Sequence, residues 1–249
     1  MRRVVAHVFV DDLARPVVAG QDFHHLSRVL RLRPGEAVSA ADGRGGWRPC
    51  RWAGVAALEP AGDMVTEPRP TPLLTVAFAL TKGDRPEWTV QKLTELGADR
   101  IVVMTTEHCV VRWGPAQEAR QLGRLQEVAR LAAMQSRRSW LPAVEGPLAF
   151  CRLTGPPGGG TGQGGGEGEG GGEGMALAVP GGPPISLGHP TVLIGPEGGW
   201  SDEELATVPH HVGLGPHVLR SETAALAAGA LLAALRDGLV KAAEQAFGA

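Results

Sequence analysis

The 249-residue chain is 43% hydrophobic and 20% charged, with 24 Lys and Arg against 26 Asp and Glu for a net charge of −2, a balance that argues against binding nucleic acid by bulk charge. It is long enough for one large or two modest domains, and no apolar run nears the roughly 20 residues needed to span a bilayer. The start, MRRVVAHVFVDD, lacks the long apolar region of a secretory leader, while Cys50, Cys109 and Cys151 are widely spaced without a CxxC pair, so reduced thiols in a cytoplasm are expected and no metal site.

Residues 1 to about 68 read as a small β-rich domain. Val4 to Val10 is a strand, and Ala37 to Ala41 leads through DGRGG at Asp42 to Gly46 into a second strand over Trp47 to Val55, a hairpin signal. Asp22 to Arg31 is expected as one helix, with Leu26, Val29 and Leu30 at i, i+3 and i+4 forming its apolar face. The proline-rich EPRPTP at Glu67 to Pro72 marks a domain boundary. Beyond it the pattern becomes strand, helix, strand. Leu73 to Leu80 is a strand; Asp84 with Glu87 caps a helix that has Pro86 in its first turn, runs to Leu96 and ends at Gly97; Ile101 to Thr105 is the next strand. Such a βαβ unit implies a parallel sheet.

Gln117 to Met134 is a further helix, with Leu122, Leu125, Ala129 and Ala132 recurring at three and four. Gln135, Arg137 and Arg138 close it, where cations suit the helix dipole. Gly155 to Gly174 is different material: 13 of its 20 residues are glycine, too little apolar surface to offset chain entropy, so a disordered surface loop is expected. Its Glu167, Glu169 and Glu173 account for three negative charges, and leaving them out moves the net charge from −2 to +1. The accidental GxGxxG at Gly166, Gly168 and Gly171 has no strand before it and no helix after it, so it is no dinucleotide fingerprint. Ala176 to Val179 resumes the sheet.

The stretch from Thr191 to Ala225 carries the chemistry. Val192 to Ile194 and Val212 to Leu214 each end in glycine and a loop, as buried parallel strands do, and the crevice beyond such strand ends is where ligands bind. Ser201 and Glu204 form a capping box for a short helix that must stop by Pro209, which makes Glu203 and Glu204 cap and solvated face rather than catalytic acids. Glu197 sits inside the glycine turn, where its carboxylate can hold loop amides or face a ligand. Ser221 can cap the last helix, expected over Ser221 to Ala246, with Arg220 and Glu222 either pairing or meeting a ligand. That helix is apolar nearly all round through Leu235, as a buried helix is. The loop lacks the GKS or GKT of a phosphate-binding P-loop.

These residues carry a resemblance. GPEGGW followed by LGPHVLRSETAA is similar to the signature of the ribosomal RNA uridine-N3 methyltransferases, the RsmE-like branch of the SPOUT superfamily. KGDRPEWTVQKLTELGADRI at Lys82 to Ile101, AAMQSRRSWLP at Ala132 to Pro142 and HHLSRVLRLRPGE at His24 to Glu36 extend it over most of the chain in family order. The resemblance implies an α/β fold: a PUA-like RNA-binding β-barrel over 1–68, then a SPOUT domain over 73–249, with a parallel sheet, a carboxyl-terminal trefoil knot and a glycine-rich insert at 155–174. It implies S-adenosyl-L-methionine as cofactor, a homodimer, and a uridine of small-subunit ribosomal RNA, naked or in the assembled subunit, as substrate.

Carried over by position, Leu193, Ile194, Gly195, Pro196, Glu197, Gly198 and Gly199 form one side of the cofactor site, and Leu214, Gly215, Val218, Leu219 and Arg220 the other. Arg220, Glu197 and Glu222 become catalytic candidates. His25, Arg28, Arg31, Lys82, Arg85 and Arg138 become RNA contacts, although helix caps and solvated faces account for such charges equally well. The chain departs from the family at Leu131 and Met134, where acids are usual, at Arg137, where glycine is, and at His108 and Cys109, where arginine and serine are. These departures bear on substrate contacts rather than on the cofactor loops. They keep two other readings open: a SPOUT methyltransferase for another RNA position, and a non-catalytic ribosome-assembly factor.

Overall fold

A computed structural model describes residues 4–155 and 174–241. The expected disordered tract falls, over 156–173, outside the described residues, as does the expected end of the last helix at Ala246. The chain divides into two compact units, Met1–Pro70 with Arg130–Leu141, and Thr71–Ala129 with Pro142–Ala249. Residues 130–141, expected in the second domain, therefore cluster with the first.

In the first unit, β1 (Ala6–Phe9), α1 (Gly20–His24), β2 (Ala37–Ala41), β3 (Gly46–Trp52), β4 (Leu58–Pro60) and β5 (Val65–Thr66) follow in order. The sheet runs β1-β2-β3-β4, with β5 also paired to β3. The β2–β3 hairpin is held at its turn by Asp42, whose Oδ1 accepts from the amides of Arg44 and Gly46. Val8, Leu26, Val38, Ala40, Cys50 and Trp52 form the core, and Met134 joins it. A buried apolar side chain stands where the resemblance led one to expect an acid. Arg130 forms an ion pair with the buried Asp22.

The single helix expected over Asp22 to Arg31 is not what forms. α1 gives way to a π-helical segment, His25–Val29, in which the Leu30 amide bonds back to the His25 carbonyl. A π turn holds more residues than an α turn, so positions spaced for an α-helix no longer share a face. Leu26 is buried, but Val29 and Leu30 are 61% and 43% exposed.

His7 is buried beneath the turn at Arg137 to Ser139. Its Nε2 lies 3.0 Å from the Arg138 carbonyl and its Nδ1 2.7 Å from Ser39 Oγ. A carbonyl only accepts, so Nε2 carries the proton and the Ser39 hydroxyl donates to Nδ1. Burial pushes the imidazole below its ordinary value, the nearby Arg137 adds to this, and the Arg138 carbonyl and Glu67 oppose it. A depressed histidine is neutral in both states above the unfolded value of about 6.5. Below that, the unfolded chain takes up the proton first. The stability held by neutral His7 is therefore complete at pH 7.5 and lost as the pH falls through and below 6.5. Urea unfolding of the native chain and His7→Gln across pH 7.5 to 5 should give a smaller pH slope in the variant; parallel slopes would show that His7 does not carry the effect.

The second unit comprises β6 (Thr75–Ala79), α2 (Arg85–Leu96), β7 (Arg100–Thr105), α3 (Pro115–Ser136, its last turns belonging with the first unit), β8 (Ala143–Ala149), α4 (Phe150–Thr154), β9 (Met175–Ala178), β10 (Thr191–Ile194), α5 (Asp202–Thr207), β11 (His211–Val212) and α6 (Ser221–Arg236). The sheet is parallel throughout, in the order β11-β9-β10-β6-β7-β8. Its central strands are near-continuous apolar runs because helices cover both faces. One face packs with Val90, Leu93, Ala225, Ala228 and Leu232, the other with Phe150, Leu153 and Val208. The edge strand β8 went unread in the sequence, since AVEGPLA places a charge, glycine and proline where an apolar run is sought. An edge tolerates them, and Glu145 pairs there with Arg100 at 2.8 Å. That pair holds the Glu145 carboxyl below its usual range.

The local signals for α2 place both of its ends, with Asp84 at the N-cap and Pro86 in the first turn, and only the expected side-chain cap fails. Gly97 closes the helix at φ 100°, as expected of a left-handed cap. Asp84 occupies the N-cap position without a side-chain hydrogen bond, and Glu87 instead reaches Arg124 at 2.9 Å. α6 ends at Arg236. It lies so close to α2 that a Cβ on Gly229 would stand 2.6 Å from Leu93 Cδ2. Among the described residues no helix is long and apolar enough to cross a membrane.

Candidate active site

Three neighbouring strands, β11, β9 and β10, end on one edge of the sheet, and their carboxyl-end loops enclose a pocket of about 190 Å³. β9 stands between the two strands that carry the apolar runs, and the loops that follow those runs meet beyond it, as expected. Ile194, Gly195, Pro196, Glu197 and Gly199 come from the β10 loop, and Leu214, Gly215, Val218 and Leu219 from the β11 loop. Nine of the twelve sequence-expected cofactor residues therefore line one cavity. The other three do not. Leu193 points to the opposite face of the sheet, buried with Ala77, Val102 and Met104, because alternate residues of a strand face opposite ways. Gly198 abuts His108, whose Cβ would be 3.1 Å from an added methyl. Arg220 stands just outside, exposed, at the N-cap of α6.

Sequence reading missed Ala178, Val179 and Pro180 from the end of β9, and Trp200, His217, Ser221 and Ala224. Trp200 was in view as the last residue of GPEGGW, but its role depends on what it meets. Its Nε1 donates to the Ala178 carbonyl at 3.0 Å and its ring packs on Phe150. A Cβ on Gly195 would sit 3.0 Å from that ring, so the glycine admits the tryptophan as much as any ligand.

The loop that follows is built as its sequence requires. Ser201 Oγ accepts from the Glu204 amide while Glu204 Oε2 accepts from the Ser201 amide, the expected capping box. The other carboxylate oxygen of Glu204 accepts from the Glu107 amide at 3.0 Å. His108 Nδ1 lies 3.2 Å from the Gly199 carbonyl. The loop after β7 is thus pinned at two points, to the glycine loop at Gly199 and to the first turn of α5 at Glu204.

The three catalytic candidates fall into different settings. Arg220 and Glu222 do not pair with each other. Glu222 lies 3.6 Å from Arg85, which also donates to Glu197 at 3.2 Å. Arg85, expected as an RNA contact, therefore joins the glycine loop to the start of α6 and is neutralised by two carboxylates. Arg220 has no ion-pair partner among the described residues. Glu197 is 68% exposed and Glu222 12%, and Glu222 Oε2 is buried without a hydrogen bond. Ser221, expected to cap α6, does not; its Oγ is buried and unpartnered beside the pocket. Of the other expected RNA contacts, Lys82 is exposed in the second unit. His25, Arg28 and Arg31 are exposed and Arg138 is half-buried in the first unit.

Residues 67–156 and 178–233 match the model of an RNA methyltransferase domain, and 18–53 that of an RNA methyltransferase PUA domain. The chain is 33% identical over 241 residues, 88% of each chain, to ribosomal RNA small subunit methyltransferase E of Mycobacterium bovis. It is 33% identical over 222 residues to the protein of that name from Synechocystis, covering 86% of this chain and 71% of that one. The crystal structure of the Neisseria gonorrhoeae ribosomal RNA small subunit methyltransferase E bound to S-adenosyl methionine superposes with a TM-score of 0.71 at 26% identity, covering 92% of this chain and 97% of that one. The two matched domains and the strand-end pocket agree: this chain belongs to the RNA methyltransferase family that includes ribosomal RNA small subunit methyltransferase E.

Proposed function

We propose that the chain transfers a methyl group from S-adenosyl-L-methionine to N3 of a uridine in small-subunit ribosomal RNA, as a cytoplasmic homodimer with the SPOUT trefoil knot. The observation that carries this reading is the pocket at the ends of β9, β10 and β11. Its walls are mostly apolar side chains and bare glycine backbone, which suit the adenosine and methionine parts of the cofactor, and the unpartnered Ser221 Oγ beside it is a polar group in need of a ligand. Ile194 to Glu197 and Gly199 from one loop, and Leu214, Gly215, Val218 and Leu219 from the other, would hold the cofactor. When bound it supplies a methyl group on a positively charged sulfur, an electrophile that needs no further activation.

The chain's own residues have the uridine to prepare. N3 lies on the pairing edge, so the base must be unpaired or turned outward, and the nitrogen must lose its proton. Arg220, exposed beside Leu219 and Ser221 and free of any carboxylate among the described residues, favours the uridine anion. Glu197 lines the pocket and is exposed, so it can take the proton from a macromolecular substrate; the free oxygen of Glu222 is buried and cannot. Glu222 instead holds Arg85, which fixes the glycine loop. The exposed Leu231, Leu239 and Val240 on and after α6 support a dimer contact.

Purified small ribosomal subunits lacking the modification, incubated with the protein and cofactor, should show one new reverse-transcription stop at a uridine, because a methyl at N3 blocks pairing. A stop at a different base, or cofactor binding with no stop on subunits or free RNA, would replace the uridine-N3 assignment.

A further inference from the structure

A second cavity, of about 280 Å³, opens at the carboxyl ends of β7 and β8 and is lined by Thr105, Arg112, Trp113, Glu118, Leu148 and Arg152 among others. It shares no residue with the first pocket. Both lie on the carboxyl edge of the same sheet, with β6 between the strands that serve them. Nothing in the proposed reaction uses it.

Its chemistry is specific. Arg112 and Arg152 are exposed and, among the described residues, neither has an ion-pair partner, although Glu118 lines the same wall. Glu118 has a structural reason to be there, since it lies in the first turn of α3, where an acid favours the helix dipole. Trp113 is half-buried: it packs on the core of the second unit and also lines the cavity. Forked guanidinium donors match phosphate oxygens, and an aromatic side chain gives any base a stacking surface.

We propose that this cavity holds a second nucleotide of the RNA substrate, with its base against Trp113 and its phosphate between Arg112 and Arg152, distinct from the nucleotide that is methylated. The proposal rests on the RNA-methylating reading of the first pocket. It places RNA on the sheet edge beyond β6, at a site independent of the amino-terminal unit. It also accounts for two arginines and a tryptophan that neither the cofactor nor the target uridine needs.

The test is the full-length Arg112→Gln/Arg152→Gln double variant, assayed on unmodified small-subunit RNA between 50 and 200 mM salt, with cofactor affinity as the control for folding. The expected result is a KM for RNA raised about tenfold at the lower salt, and a salt dependence of log KM shallower by about 0.7 for each phosphate that the variant no longer neutralises. The kcat at saturating RNA and the cofactor affinity stay as in the native protein. An unchanged KM and salt slope would overturn the proposal while leaving the proposed reaction standing. Should the native protein methylate no RNA, fluorescence anisotropy with the same RNA still decides: equal affinity and slope for native and variant protein would dismiss the cavity. If the double variant loses cofactor affinity, Arg152→Gln alone, on the short helix α4, is carried through the same measurements.

Discussion

Replacing Arg220 with alanine should lower turnover about 100-fold or more while the affinity for S-adenosyl-L-methionine changes little. The magnitude is that of removing one preorganised charge from a developing anion, about 10²–10³ in kcat. The direction comes from comparing the two arginines near the pocket. Arg85 is already committed, with Glu197 at 3.2 Å and Glu222 at 3.6 Å, so its field is largely cancelled. Arg220 sits at the N-cap of α6 between the pocket residues Leu219 and Ser221, and has no ion pair among the described residues. Its charge is available to a substrate, and its side chain is not part of the cavity wall. Single-turnover methylation with calorimetry of cofactor binding separates the two effects. Lysine at this position should restore part of the rate, because it keeps the charge and loses the fork. A variant that methylates at the native rate would remove Arg220 from the mechanism; one that loses cofactor affinity in equal measure would make it a binding residue.

The largest expected loss of stability is at the other end of α6. Arg236 and Asp99 are 9% and 7% exposed as side chains and form an ion pair. Asp99 Oδ2 also accepts from the Leu74 amide at 2.9 Å, and Arg236 Nη2 donates to the Gly97 carbonyl at 3.1 Å. One cluster thus ties the end of α6 to the end of α2 and the entry of β6. Arg236→Met removes the cation and leaves the carboxylate buried, which costs about 3–5 kcal/mol for a pair of this kind. Urea unfolding followed on the second unit should show its midpoint moving down accordingly. Asp99→Asn added to Arg236→Met should recover part of the loss, since the neutral amide oxygen can still accept from Leu74 and the buried charge is gone. A loss below about 1 kcal/mol in the single variant would mean that solvent reaches the pair.

Elements governed by neighbouring residues were legible in the chain. The Ser201–Glu204 box, the Gly97 cap, the Asp42 hairpin turn and the apolar runs of β6, β7 and β10 each follow from chemistry within a few residues, and each forms as read. The glycine loops were also legible, because a run such as GPEGG after a buried strand ends the strand in a turn that only glycine readily makes, as Gly199 does at φ 76°. Two helix starts were less so: Asp84 and Ser221 could each have capped, yet neither does, Glu87 pairing with Arg124 instead and the Ser221 hydroxyl lying buried without a partner.

What the tertiary structure alone decides is everything that depends on residues distant in sequence. Arg85 meets Glu197 and Glu222 only because the sheet sets the loop after β6 beside the one after β10. β9 stands between the two strands whose loops build the pocket, so its own end contributes three lining residues that no local pattern marks. AVEGPLA becomes a strand because an edge of the sheet is free to accept it. Residues 130–141 end a helix begun in one unit and join the core of the other, which turns Met134 inward. The chain specifies turns, caps and apolar faces by short-range sterics and hydrogen bonding. Which charges meet, and which remain free for RNA, is set by packing between segments far apart in the sequence.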